Sequence, residues 1–205
     1  MTPDTAPSEN PFSTRRIRPG AVTFLFPEGQ SCRGLIERLR RNGWQGEIVG
    51  PHGSGKSSLL ACFVPELHRA GHETVRVELH DGQRRLPLKL RKLGRLSPST
   101  VMVVDGYEQL GPWGRFRLKF FCRRRRLGLV ITSHVPIDFP KLFDTVSNAE
   151  TAQLLVDRLL EGYERLIDER DVLQAYARQE GNLREMLFDL YDVYESRRRR
   201  QSSPA

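Results

Sequence analysis

No stretch of this chain approaches the roughly 18 to 20 consecutive apolar residues that a membrane-spanning helix needs, so nothing in it reads as a transmembrane segment. The N-terminus lacks the basic-then-apolar pattern of a secretory signal. Cysteine is scarce: Cys32, Cys62 and Cys122 are odd in number, widely spaced and without a CxxC pair. They fit reduced thiols better than disulfides or a zinc site, and the expected compartment is cytoplasmic. The five histidines show no metal-ligand spacing, and no Ser-His-Asp or Cys-His arrangement is visible. No internal repeat is visible either.

What remains is a polar but globular chain of 205 residues, 38% hydrophobic and 28% charged, enough for one α/β domain with a small appendage. The formal charge is +8, and two runs, Arg123-Arg124-Arg125-Arg126 and Arg197-Arg198-Arg199-Arg200, together hold eight arginines. Clusters of this kind suit a polyanion, either nucleic acid or an anionic membrane surface. They equally suit a solvated helix face and a disordered tail that keep the protein soluble.

Residues 1–18 are rich in Pro, Ser and Thr without apolar periodicity and read as a flexible tail. Ala21 to Phe26 is short and apolar, either a strand or a segment lying against a ligand. Ser31 can cap a helix carrying Leu35, Ile36 and Leu39 that ends near Gly43. Glu47-Ile48-Val49 is a short strand, and Ser57 to Ala70 continues as a helix. Residues 72–79 alternate, with Val75, Val77 and Leu79 on one side, as an edge strand does. Val101 to Val104 and Leu129 to Ile131 are continuous apolar runs, expected of strands buried on both faces of a parallel sheet. Between them Trp113, Phe116, Phe120 and Phe121 fall at helical spacing and are expected to pack against the sheet. Leu142 to Val146 is a candidate fifth strand.

From Ser147 the pattern is helical only. Ser147-Asn148-Ala149-Glu150 reads as a capping box, Asp168 as the cap of a second helix, and Asn182 with Glu185 as the start of a third. The chain therefore divides into a tail (1–18), a core (19–146), three lid-like helices (147–196) and a basic disordered tail (197–205). The fold class is α/β: a three-layer sandwich on a central, mainly parallel sheet, followed by the helices.

One motif dominates the chemistry. Gly50-Pro51-His52-Gly53-Ser54-Gly55-Lys56-Ser57 satisfies G-x-x-x-x-G-K-[ST] between a strand and a helix. The glycines let the backbone curl so that its N–H groups point at phosphates. Lys56 supplies a point charge to the β- and γ-phosphates, and Ser57, with Ser58 beside it, brings a hydroxyl to Mg²⁺. The following helix adds its positive dipole end. A chance match in a chain this long occurs on the order of once in a hundred. The expected cofactors are ATP and Mg²⁺. Val101-Met102-Val103-Val104-Asp105 is the second element, an apolar strand ending in an acid that can hold the metal.

With these motifs the sequence resembles the additional-strand P-loop ATPases, including AAA+ proteins and related signalling ATPases, over about residues 19–195. In that group a catalytic Glu usually follows the Asp directly, where this chain has Gly106. The resemblance to some signalling ATPases makes Glu108 the candidate general base, with a helix-start carboxylate as the alternative. It also implies a polar sensor at the end of the strand lying between the loop strand and the Asp strand. Thr132, Ser133 and His134 all qualify. Arg184, in Gly181-Asn182-Leu183-Arg184, matches the second sensor that starts the third lid helix. The resemblance thus implies an ATP hydrolase or ATP-driven switch. The alternatives are a nucleotide-dependent nucleic-acid-binding or adaptor module with negligible turnover, and a small-molecule kinase. A protein partner and an oligomer are further expectations.

Overall fold

The computed structural model describes residues 9–80, 82–87, 93, 96–137 and 139–202. Five strands form one sheet: β1 (Gln45–Val49), β2 (Glu73–Glu78), β3 (Thr100–Asp105), β4 (Gly128–Ser133) and β5 (Lys141–Asp144). All pairings are parallel, in the order β2-β3-β4-β1-β5. The sheet is flanked by α2 (Cys32–Arg41), α3 (Lys56–Arg69) and α4 (Pro112–Arg125). The α/β architecture expected from the sequence is present, with β4 inserted between β1 and β3. Every residue of β3 and β4 is buried, as continuous apolar runs require, whereas the alternating β2 occupies an edge. Residues 21–26 are not a strand: Val22 makes one isolated bridge to Pro19, and the rest is irregular.

The chain falls into two compact units. The sheet unit comprises Phe26–Pro51 and Leu59–Thr145. One of its cores joins Val77, Met102, Val104, Leu129 and Ile131 of the sheet to Leu118 and Cys122 of α4. Here the aromatic expectation fails. Phe121 packs against this core, but Trp113, Phe116 and Phe120 are 78%, 59% and 57% exposed. Helical spacing identifies a stripe without saying which stripe faces inward, and Leu118 with Cys122 takes the inner position. In the same unit α2 is capped by the Ser31 side chain, which accepts from Gly34 N at 3.2 Å. The Sγ atoms of Cys32 and Cys62, 30 residues apart, lie 2.7 Å from each other as free thiols. The Cys32 thiol hydrogen bond lowers the Cys62 pKa, while Cys32 itself is raised by the same contact.

The helical unit gathers the described residues up to Leu25, His52–Ser58, and the chain from Val146 onward. Its helices are α1 (Thr14–Ile17), α5 (Ala149–Leu159), α6 (Glu169–Arg178) and α7 (Leu183–Ser202). Asn148, not Ser147, caps α5, accepting from Thr151 N at 2.7 Å, because the Ser147 hydroxyl donates instead to Gly181 O. Asp168 and Asp171 form the capping box of α6. The Asn182 side chain accepts from Arg184 N and Glu185 N at the start of α7. Val156, Leu159, Val172, Met186, Leu190 and Tyr194 form the core.

Both expected tails need correction where they are described; residues 1–8 and 203–205 lie outside the described residues. Phe12 is fully buried and packs edge-on against Tyr194, with ring centroids 6.0 Å apart. Asn10 donates to Tyr191 O and Glu195 Oε1. One aromatic anchor thus outweighs a polar, Pro-rich composition. At the other end α7 runs through all four arginines of the second run. Arg197 donates to both Asp171 oxygens and to Leu166 O, and Arg198 pairs with Glu195 at 3.1 Å. A forked guanidinium on a fixed carboxylate and a carbonyl keeps the helix formed.

Burial alone would raise the Asp171 pKa, but hydrogen bonds from Arg197 and the Asp168 backbone together hold it below the usual range. A depressed carboxylate contributes stability above its unfolded pKa of about 4 and loses that contribution as pH falls through the folded value. Asp171→Asn is therefore expected to lower the melting temperature at pH 7 by a few degrees, on the order of 1–2 kcal/mol. The gap to wild type should shrink in thermal melts run at progressively lower pH.

Candidate nucleotide site

The loop of residues 50–57 begins where β1 ends and runs into α3, the strand–loop–helix context that its composition demands. Gly53 and Gly55 have φ of +69° and +95°, values that side chains beyond glycine rarely adopt. Space adds a second constraint. A Cβ on Gly53 would lie 1.7 Å from Asn182 Oδ1, and one on Gly55 would meet the Phe24 ring at 3.3 Å. The segment carrying Phe24 therefore reaches the loop, as one of its two readings has it. The loop is also packed against the start of α7, where Arg184 is the second helical residue and is exposed. Ser54 is buried, and Lys56, Ser57 and Ser58 are half-buried at the start of α3. Pro51 and His52 are exposed.

At the C-terminal ends of β3 and β4 a second cluster forms. Asp105 is 7% exposed, and its Oδ1 accepts the Thr132 hydroxyl at 2.6 Å. The same Thr132 oxygen accepts from Gly106 N at 2.9 Å, so Thr132 ties the end of β3 to β4 through both its roles. Asp105 Oδ2 lies 3.8 Å from Arg76 Nη2. Glu108 sits in a 3-10 turn, Tyr107–Gln109, and its Oε1 lies 3.0 Å from His134 Nδ1. Its Oε2 is buried with no hydrogen-bond partner among the described residues. The side-chain alternation of β4 separates the three sensor candidates. Thr132 meets Asp105 and His134 meets Glu108, whereas the Ser133 hydroxyl donates to Glu47 Oε1 at 2.7 Å.

Glu47 and Asn182 take part in these contacts without having been singled out as site residues from the sequence. Glu47 is 2% exposed, and Oε1 also accepts from Ile137 N at 2.7 Å, bracing the segment after β4. A carboxylate in a short strand directly before the loop was the available signal, since burying one requires partners. Gly106 explains the displaced acid. Its φ is +77°, and an added Cβ would stand 2.6 Å from Leu79 O. No side chain fits directly after Asp105, and the next acid in the chain is Glu108. The Asp105 carboxylate, buried and already oriented by Thr132, is a hard oxygen donor of the type a hydrated divalent cation takes.

Gly106→Ala is expected to cost about 2 kcal/mol or more, through the left-handed backbone and the Leu79 clash together. A melting temperature within a degree of wild type would contradict this. Gly53→Ala should displace Asn182 and lower nucleotide affinity at least tenfold in a titration.

The sequence matches no protein-family model, and no curated protein matches it. Solved structures do match in fold. A single-substitution variant of RuvB from Thermotoga maritima superposes with a TM-score of 0.53 at 13% identity, covering 78% of this chain and 59% of that one. AMPPCP-bound DnaA of Aquifex aeolicus gives 0.56 at 15% identity, covering 87% and 66%. NtrX of Brucella abortus in complex with ADP gives 0.58 at 12% identity, covering 93% and 55%. The chain thus spans between about half and two thirds of the length of these proteins. At such identities the likeness establishes the fold alone, a parallel α/β sheet flanked by helices.

Proposed function

We propose that the protein binds Mg-ATP in the 50–57 loop and uses the state of the phosphates to switch the arrangement of its helical unit. The observation that carries this reading is the seat of Asn182, the cap of α7, in the space a Cβ on Gly53 would fill. Phosphates gripped by the loop backbone must then be felt at the start of the helix that carries Arg184. Lys56 and the loop N–H groups bind phosphate, and Ser57 and Asp105 would hold the metal. When bound, Mg²⁺ neutralises phosphate charge and orients its oxygens. Thr132 keeps the Asp105 carboxylate in one orientation through its 2.6 Å hydrogen bond.

For hydrolysis, Glu108 is the general base of this reading. Its Oε2 supplies an acceptor that no described protein group uses, while His134 holds Oε1 and so the orientation of the carboxylate. The nucleotide-bound structures of DnaA and NtrX support nucleotide as the ligand class. Among the described residues no helix is long and apolar enough to cross a membrane.

Nucleotide titration and phosphate release on the purified chain test the reading. Lys56→Ala is expected to lose ATP binding, and unchanged affinity would sink the proposal. Glu108→Gln should retain affinity within a few fold while phosphate release falls at least a hundredfold, within the range seen for loss of a general base. Equal turnover in that variant removes Glu108 from the chemistry but leaves the binding claim standing.

A further inference from the structure

The outer face of α4 carries the inference. Trp113, Phe116, Arg117, Phe120, Arg123 and Arg124 are all exposed, and each has another of the six three or four residues away on the helix. They form one stripe about 16 Å long at 1.5 Å per residue. The rings form a continuous row: Trp113 and Phe116 meet edge-on at 6.1 Å, and Phe116 and Phe120 lie nearly parallel at 6.2 Å with an 18° interplanar angle. Among the described residues no carboxylate pairs with Arg117, Arg123 or Arg124. The sequence from Gln109 to Ile137 contains no Asp or Glu at all. The other cations of the helix are engaged elsewhere: Arg115 on the carbonyls of Leu110 and Glu108, Lys119 on the Phe139 ring and Arg125 on the Phe121 ring.

We propose that this stripe binds single-stranded nucleic acid, with bases stacked on Trp113, Phe116 and Phe120 and phosphates held by Arg117, Arg123 and Arg124. The partner must be uniformly anionic, because the stripe itself carries no Asp or Glu to answer a mixed surface. It must also present flat apolar faces close to its charges, because Arg117 lies among the rings and Arg123 and Arg124 continue directly from Phe120. Unpaired bases on a phosphate backbone meet both demands. A duplex hides its base faces and answers only the arginines. An anionic membrane favours cations and apolar groups on opposite sides of the helix, and this stripe contains no Leu, Ile, Val or Met. In the second arginine run, by contrast, Arg197 and Arg198 are already bound to Asp171 and Glu195.

Anisotropy of a short fluorescein-labelled oligothymidylate, titrated with the full chain at several salt concentrations, tests the proposal. Each ring-to-alanine change is expected to weaken binding about tenfold with the salt slope unchanged. Arg117→Gln/Arg123→Gln/Arg124→Gln should flatten the slope of log affinity against log salt by about 2. In a Trp44→Phe background Trp113 is the single tryptophan, and its emission should quench on binding. The same oligonucleotide annealed to its complement should bind more weakly. Four results overturn the proposal: no binding at low salt, full affinity in Trp113→Ala/Phe116→Ala/Phe120→Ala, duplex binding as tight as single strand, or binding of phosphatidylserine vesicles in its place. A fifth is a change of oligomeric mass in sedimentation by the ring variants without any change in oligonucleotide affinity, which would make the face a protein interface.

Discussion

The parallel pairing of β1 with β4 is the contact from which the site takes its shape. It sets Ile48 opposite Thr132 and Val49 opposite Ser133, and Gly50 N continues the ladder by donating to Ser133 O. On its other side β4 pairs with β3, setting Val104 opposite Ile131. Parallel strands end at the same edge of a sheet, so the chain leaves β1, β3 and β4 on one side, where ligands of such folds collect. Thr132 can reach Asp105 only because no strand stands between theirs. A one-residue slip of β4 would turn Ser133 toward Asp105 and strip Glu47 of its hydroxyl donor.

Two glycines add constraints of their own, one in each unit. At Gly106 the left-handed backbone and the Leu79 carbonyl leave no room for a side chain, and the first acid after it is Glu108. His134 holds one oxygen of that acid, and the other is left buried. At Gly53 the missing side chain is replaced by the Asn182 amide, which also caps α7. The same absence of a Cβ therefore isolates a carboxylate in one place and links loop to helix in the other.

The two arginine runs look alike in sequence and end in opposite circumstances. In α7, Arg197 and Arg198 face carboxylates of α6 and of their own helix, and their charge holds the helix end in place. In α4, Arg123 and Arg124 continue an exposed aromatic row, and among the described residues no carboxylate pairs with them. Local composition cannot separate the cases, because an ion pair such as Arg197 with Asp171 joins residues 26 apart.

Read alone, the sequence determined the sheet, its edge strand, the loop with its strand and helix, and the caps at Ser31, Asp168 and Asn182. These depend on periodicity, on backbone freedom and on hydrogen bonds within a few residues, all of which are local. Only the tertiary structure decided which face of α4 turns inward, that Phe12 and Arg197 belong to folded helix packing, and that Cys32 meets Cys62. It also separated Thr132, Ser133 and His134, which are adjacent in the chain but find their partners on different strands and turns. Each of those outcomes depends on a residue's neighbours across the fold, and register and packing, not spacing, choose such neighbours.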